Sequence, residues 1–170
     1  LNRTNRSGIL TGGVIGGLDQ TGEWKIDARY NKTELCRRIE HIALYSSRIR
    51  LYNLDAVAFI ENVLPTLPKR SLAYLDPPYY VKSERLYQNL YRHEDHLEIA
   101  RLVKQKIKVP WIVSYDYAPE ILMMYRKCPQ LIYGMNYSAG ENRYVGCEAM
   151  FFSKEIEIPD VANPANLKAA

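Results

Sequence analysis

Nowhere do these 170 residues hold an apolar run long enough to span a membrane, and no signal-peptide pattern opens the chain. The expectation is a cytoplasmic protein with no membrane partner. Cysteine is scarce: Cys36, Cys128 and Cys147 are odd in number and far apart, which argues against a disulfide framework and against a zinc site. They read as reduced core thiols. His93-Glu94-Asp95-His96 has the residue types of a metal site but not the HExxH spacing. Helix capping and surface charge are the expected roles, and no metal is expected. A surplus of charge is also missing from most of the chain. Residues 1–50 hold nine Lys and Arg against five Asp and Glu, and residues 51–170 hold fourteen of each, so the net charge of +4 sits on the opening segment. A basic patch there attracts phosphates and makes binding salt-dependent. The remaining composition, 47% hydrophobic and 25% charged, is that of a globular chain with enough length for one domain and its core.

Against that ordinary background one short segment concentrates chemistry. The apolar run Leu72-Ala73-Tyr74-Leu75 leads straight into Asp76-Pro77-Pro78-Tyr79. Neither proline has a backbone N–H, and each pushes the residue before it away from the α region, so a strand arriving here stops at Asp76. Beyond the strand, a stiff turn presents a carboxylate, carbonyl oxygens and an aromatic ring at its carboxyl end. In open α/β sheets that edge is where ligands bind. A planar ligand carrying an amino group finds matching partners there. Asp76 and the Pro77 carbonyl each accept one amino hydrogen, and the Tyr79 ring stacks on its face. Exocyclic amines of nucleobases fit that description.

Residues 1–30 read as loops, with a short hairpin around Trp24. A helix over Thr33 to Ser47, capped by Thr33, is predicted by the spacing of Leu35, Ile39, Ile42, Ala43 and Leu44. Arg48 to Leu54 reads as a short strand, and Ala56 to Leu64 as a helix ended by Pro65. Asp95, with Glu98 three residues on, predicts the start of a helix from His96 to about Lys106. Trp111 to Tyr115 has the pattern of a buried strand, Pro119 to Tyr125 of a helix, and Leu131 to Tyr137 of a strand. A turn over Ser138 to Asn142 then leads into Val145 to Ser153, which completes a terminal hairpin. The order predicts an α/β fold with a mostly parallel sheet and one antiparallel strand, and then a disordered tail from Pro159.

The segment Leu72 to Tyr80 (LAYLDPPYY) resembles motif IV of the amino-directed, S-adenosylmethionine-dependent DNA methyltransferases, above all the Dam-like adenine enzymes. LNRTNRSGI (Leu1 to Ile9), GEWKIDARYNK (Gly22 to Lys32), LYQNLYRHEDH (Leu86 to His96) and WIVSYDYAPEI (Trp111 to Ile121) resemble the same group in the same order. The resemblance implies a partial Rossmann-like methyltransferase sheet. Residues 1–30 then belong to a target-recognition region, residues 31–158 to the catalytic core, and residues 159–170 to a tail. It implies methyl transfer from S-adenosylmethionine to the amino group of adenine, flipped out of double-stranded DNA. Asp76, Pro77, Pro78 and Tyr79 carry the reaction on this reading. Asp55 and Asp76 contact the cofactor, and Arg3, Asn5, Arg6, Tyr80 and Lys82 contact DNA.

Several of these residues keep a second reading. Asp55 serves equally as the cap of the helix after it. Arg85, Tyr87 and Tyr91 continue the mixture of bases and aromatics after the turn. Tyr115 and Asp116 line the same pocket, or Asp116 caps the helix near Pro119. The family's cofactor loop and ribose-binding acid precede its recognition region and have no counterpart before Leu1. Gly12 to Gly17 lacks a preceding strand and reads as a flexible loop near DNA rather than as that loop. The expectation is a fragment that binds the cofactor weakly and self-associates through an incomplete sheet. The alternatives are a catalytically silent DNA-binding fragment, or an amino methyltransferase acting on cytosine, RNA or protein.

Overall fold

The computed structural model describes residues 2–8, 12–81, 91–137 and 144–160. The chain forms two compact units that divide between Asn53 and Leu54. In the first, residues 12–30 form turns, and the Thr4 carbonyl accepts the Ile15 N–H beside a bridge between Asn5 and Val14. No hairpin forms at Trp24, which is 68% exposed. Instead the chain folds back tightly on Gly16, whose φ of 87° and whose Cβ position only 2.7 Å from the Trp24 carbonyl oxygen both demand glycine. Helix α1 spans Lys32–Ala43. Its cap is Asn31 rather than Thr33, since the Asn31 side chain accepts the Glu34 N–H at 3.0 Å. Glu34 also bonds Arg37 and Arg38, which hold its carboxyl down to about 2. The expected apolar face is formed but not covered: α1 buries no residue, and Ile39 and Ile42 face solvent. The strand expected over Arg48 to Leu54 is absent. Ser46–Arg48 is a 3-10 turn, and Leu51 stands 91% exposed with no ladder partner among the described residues. Alternating apolar residues supply propensity for a strand, and only a neighbouring strand makes one.

The second unit holds the sheet. Strands β1 (Ala73–Leu75), β2 (Trp111–Asp116), β3 (Gln130–Tyr137) and β4 (Tyr144–Phe152) lie, among the described residues, in the order β1-β2-β4-β3. β1 pairs parallel with β2, and β4 runs antiparallel to both β2 and β3. Three strands thus share one direction, yet only one pair among them is parallel, because the reversed strand sits between two of the others. The terminal hairpin is as expected. The fold is α/β with a mixed, open sheet.

Helix α2 (Ala56–Ala58) begins at Asp55 and widens into a π turn at Phe59–Val63 before tightening into a 3-10 turn at Leu64–Thr66. Pro65 was expected to end the helix; it opens the 3-10 turn instead, where its missing N–H costs nothing. Helix α3 runs His93–Lys106, three residues longer at its start than expected. Asp95 is its third residue rather than its cap, and reaches back to accept the Arg92 N–H at 2.7 Å. Helix α4 spans Pro119–Met124. Side chains on one face of the β2–β4 pair, Trp111, Val113, Tyr115, Ala149 and Phe151, join Ile99, Leu102 and Val103 of α3 and Ile121 of α4 in one core. The opposite face carries Tyr74, Ser114, Asp116 and Glu148, because successive side chains alternate across a strand. Of the three cysteines, Cys36 and Cys147 are exposed and Cys128 is half-buried, so two are not core thiols. The turn over residues 138–142 and the tail from residue 161 lie outside the described residues. No helix among them is long and apolar enough to cross a membrane.

Candidate active site

The strand stops where the prolines require. β1 ends at Leu75, and Asp76 comes next at the carboxyl end of the sheet with its carboxylate exposed. A short chain of hydrogen bonds orients it. The Tyr74 hydroxyl donates to Ser114 Oγ at 2.9 Å, and Ser114 donates to Asp76 Oδ1 at 3.0 Å. Each donor in such a chain strengthens the next. The carboxylate is thereby held through one oxygen, and among the described residues the other oxygen and the Pro77 carbonyl accept no hydrogen bond. Tyr79 is half-buried, and its hydroxyl donates to Glu148 Oε1 at 2.9 Å. Tyr133 of β3, in register with Glu148, donates to the other carboxylate oxygen, also at 2.9 Å.

Asp116, only 3% exposed, does not cap α4. The cap of α4 is Ala118, which has no side-chain bond to offer. Asp116 instead accepts the backbone N–H of Tyr80 at 2.7 Å and of Val81 at 2.9 Å. It fastens the chain leaving the turn to the end of β2. Tyr80 turns the other way, toward α3, where its hydroxyl meets His93 Nδ1 at 2.9 Å and its ring lies 5.2 Å from that of His96. Tyr91 and Tyr115 complete the aromatic box around His96, at ring separations of 5.3 and 5.5 Å.

The two histidines that looked metal-like serve different partners, and Tyr115 is core rather than pocket lining. His96 Nδ1 lies 3.0 Å from the Tyr115 hydroxyl, and its buried Nε2 has no hydrogen-bond partner among the described residues. If Tyr115 donates to Nδ1, the Nε2–H points among aromatic rings; the opposite tautomer strands a buried hydroxyl proton, so the first is favoured. Burial lowers the His96 pKa below its ordinary value of 6.5, against the pull of Asp116 and Asp95 and together with His93. Above that value both folded and unfolded chains are neutral at this residue. Below it the unfolded chain takes up a proton that the folded chain resists, so stability falls as pH drops. Thermal melts from pH 8 to pH 5 are expected to show this decline, and His96→Leu should flatten it. An identical slope in the variant would remove His96 as the cause.

Of the remaining candidates, Asp55 sits at the start of α2 and accepts the Val57 N–H at 2.8 Å, so its capping role is realised. Arg3 and Arg6 are exposed in the first unit, whereas Asn5 is buried, its carbonyl bonded by Arg29. Lys82, Arg85 and Tyr87 lie outside the described residues. Gly12 to Gly17 is a hydrogen-bonded turn, with Gly17 N–H on the Val14 carbonyl, and no strand among the described residues leads into it. A groove of about 810 Å³ between α3 and α4, lined by Leu97, Pro119 and Met123, touches none of the turn residues.

Sequence reasoning missed Ser114 and Glu148. Their signal was a polar residue alternating with apolar ones inside an otherwise buried strand, in WIVSYD and GCEAMFF. No family model matches the chain, and no curated protein matches it.

Proposed function

We propose that this chain carries the amino-base side of a DNA adenine methyltransferase. The observation that supports this reading is Asp76: a carboxylate at the end of β1 pinned through one oxygen, followed directly by a Pro77 carbonyl that is unpaired among the described residues and, two residues on, by the Tyr79 ring. The 6-amino nitrogen of adenine is a poor nucleophile because its lone pair is delocalised into the ring. Hydrogen bonds from that amine to Asp76 and to the Pro77 carbonyl favour a pyramidal nitrogen and stabilise the positive charge that develops on it. Tyr79 stacks on the base once it has left the duplex, a step that costs a few kcal/mol. Asp76 need not be a strong base, since the proton leaves after transfer, when the amine is cationic.

S-adenosylmethionine, when bound, supplies the methyl group. On this reading Asp55 and Asp76 would hold one side of that cofactor. No strand, glycine loop and helix in succession are present among the described residues to fit the other. A chain that binds DNA without transferring methyl is the second reading, favoured by that incomplete cofactor side together with the exposed Arg3 and Arg6.

One pair of titrations tests the proposal. Adenosine monophosphate added to the ¹⁵N-labelled chain is expected to shift signals around Asp76, Tyr79 and Tyr80, and uridine monophosphate, which lacks an exocyclic amine, to leave them in place. S-adenosylmethionine is expected to bind only weakly, with a dissociation constant of about 1 mM or higher. Equal responses to the two nucleotides would sink the amino-base site. Saturable one-to-one micromolar binding of the cofactor would show that a local segment completes its site.

A further inference from the structure

Glu148 stands in the middle of β4 at 6% exposure, between strands β2 and β3. A carboxylate so far from water needs donors. It has the Tyr79 hydroxyl on Oε1 and the Tyr133 hydroxyl on Oε2. Tyr133 is its cross-strand neighbour, and Tyr79 arrives from 69 residues away in the chain. A carboxylate can accept from both phenols at once, one on each oxygen; a glutamine would turn an NH₂ toward one of them. Burial, and then the bond to Glu148, push the Tyr133 phenol up, so it stays a donor.

The geometry has a consequence for Tyr79. Two torsions define a tyrosine ring, and here both ends of the side chain are tied. Asp116 holds the next backbone N–H, Pro78 stiffens the residue before, and Glu148 holds the hydroxyl. We infer that Glu148 is a positioning residue for base recognition, which fixes the plane of the Tyr79 ring before a base arrives, with Tyr133 completing the coordination of its carboxylate. The inference rests on the reading that a base stacks on Tyr79. A ring set in advance loses no rotamer freedom on binding, and that is where the gain in affinity comes from.

The test uses the whole chain with ¹³C-labelled tyrosine rings, as wild type and as Glu148→Gln, Tyr79→Phe, the double variant and Tyr133→Phe. Ring relaxation reports how tightly Tyr79 is held, and adenosine monophosphate titration reports binding. In Glu148→Gln the Tyr79 ring is expected to gain motion, and nucleotide affinity to fall by about tenfold, as for one lost charge-assisted hydrogen bond. Tyr79→Phe should lose a similar factor, and the double variant no more than either alone. Tyr133→Phe should change affinity by less than about twofold, since one phenol still holds the carboxylate. A purely structural role for Glu148 predicts a lowered melting temperature with Tyr79 motion unchanged, and that result overturns the inference. Should Glu148→Gln fail to fold, Tyr79→Phe decides: unaltered nucleotide affinity there refutes it. If wild type binds no nucleotide, the base-site reading falls, and Tyr79 ring motion still decides what Glu148 does.

Discussion

Asp76→Ala is expected to lower methyl transfer about a thousandfold while changing duplex affinity by less than about twofold, in a chain that also carries a cofactor-binding glycine loop. The asymmetry comes from where the two kinds of energy arise. In a DNA-binding protein phosphate contacts supply most of the affinity, and on the proposed reading they are made by cations outside this acidic turn. In the proposed reaction Asp76 acts on one amino group of one flipped base, and its effect grows as that nitrogen gains charge. Removing the carboxylate also leaves Ser114 without its acceptor, but Ser114 still receives the Tyr74 hydroxyl, so the end of β1 should keep its shape. Methylation measured beside a salt-controlled binding titration decides the matter. Undiminished turnover would be fatal to the mechanism, and a parallel loss of binding would move Asp76 into the DNA interface.

Asp116→Ala should have the largest effect on folding, a loss of about 3 kcal/mol and a fall in melting temperature of about 10 °C. Two backbone N–H groups, of Tyr80 and Val81, depend on its two oxygens. Losing both charge-assisted bonds at this part-buried position accounts for most of that loss. Asp116→Asn should cost nearly as much, because the amide presents a donor where one backbone N–H needs an acceptor. Calorimetry of the two variants is the check. An asparagine variant as stable as wild type would mean that the clamp contributes little.

The difference between these two aspartates explains how much could be read in advance. Asp76 was legible because its setting is local: an apolar run, an acid and two prolines dictate a strand end within a few residues, whatever the rest of the chain does. Asp116 was placed correctly at a strand end and given the wrong work, since the N–H groups that it holds come from 35 and 36 residues earlier. Glu148 carried no local signal beyond its polarity among apolar neighbours. Elements failed for the same reason. The helix at Lys32–Ala43 was visible in its spacing; its cap moved from Thr33 to Asn31, and it ends at Ala43 rather than at Ser47, which falls in the 3-10 turn. The strand at Arg48 to Leu54 had alternation without a partner, and a ladder is a property of two segments. The hairpin of β3 and β4 was legible because its partners are adjacent in sequence.

β1 has three residues and, among the described residues, one neighbouring strand, whereas β4 is bonded on both sides. The Ala73 N–H donates to the Pro110 carbonyl, so by alternation Tyr74 presents its own amide to the outer edge. Amide protection should therefore rise across the sheet, from nearly none at Tyr74 to the slowest exchange at Ala149 and Met150 in the middle of β4. Local opening of β1 needs only the few bonds to β2 to part, and the hairpin and the α3 core survive it. The Asp76 carboxylate is thus hung from the strand that opens most cheaply, while Glu148, which accepts the Tyr79 hydroxyl, sits on the strand that opens last.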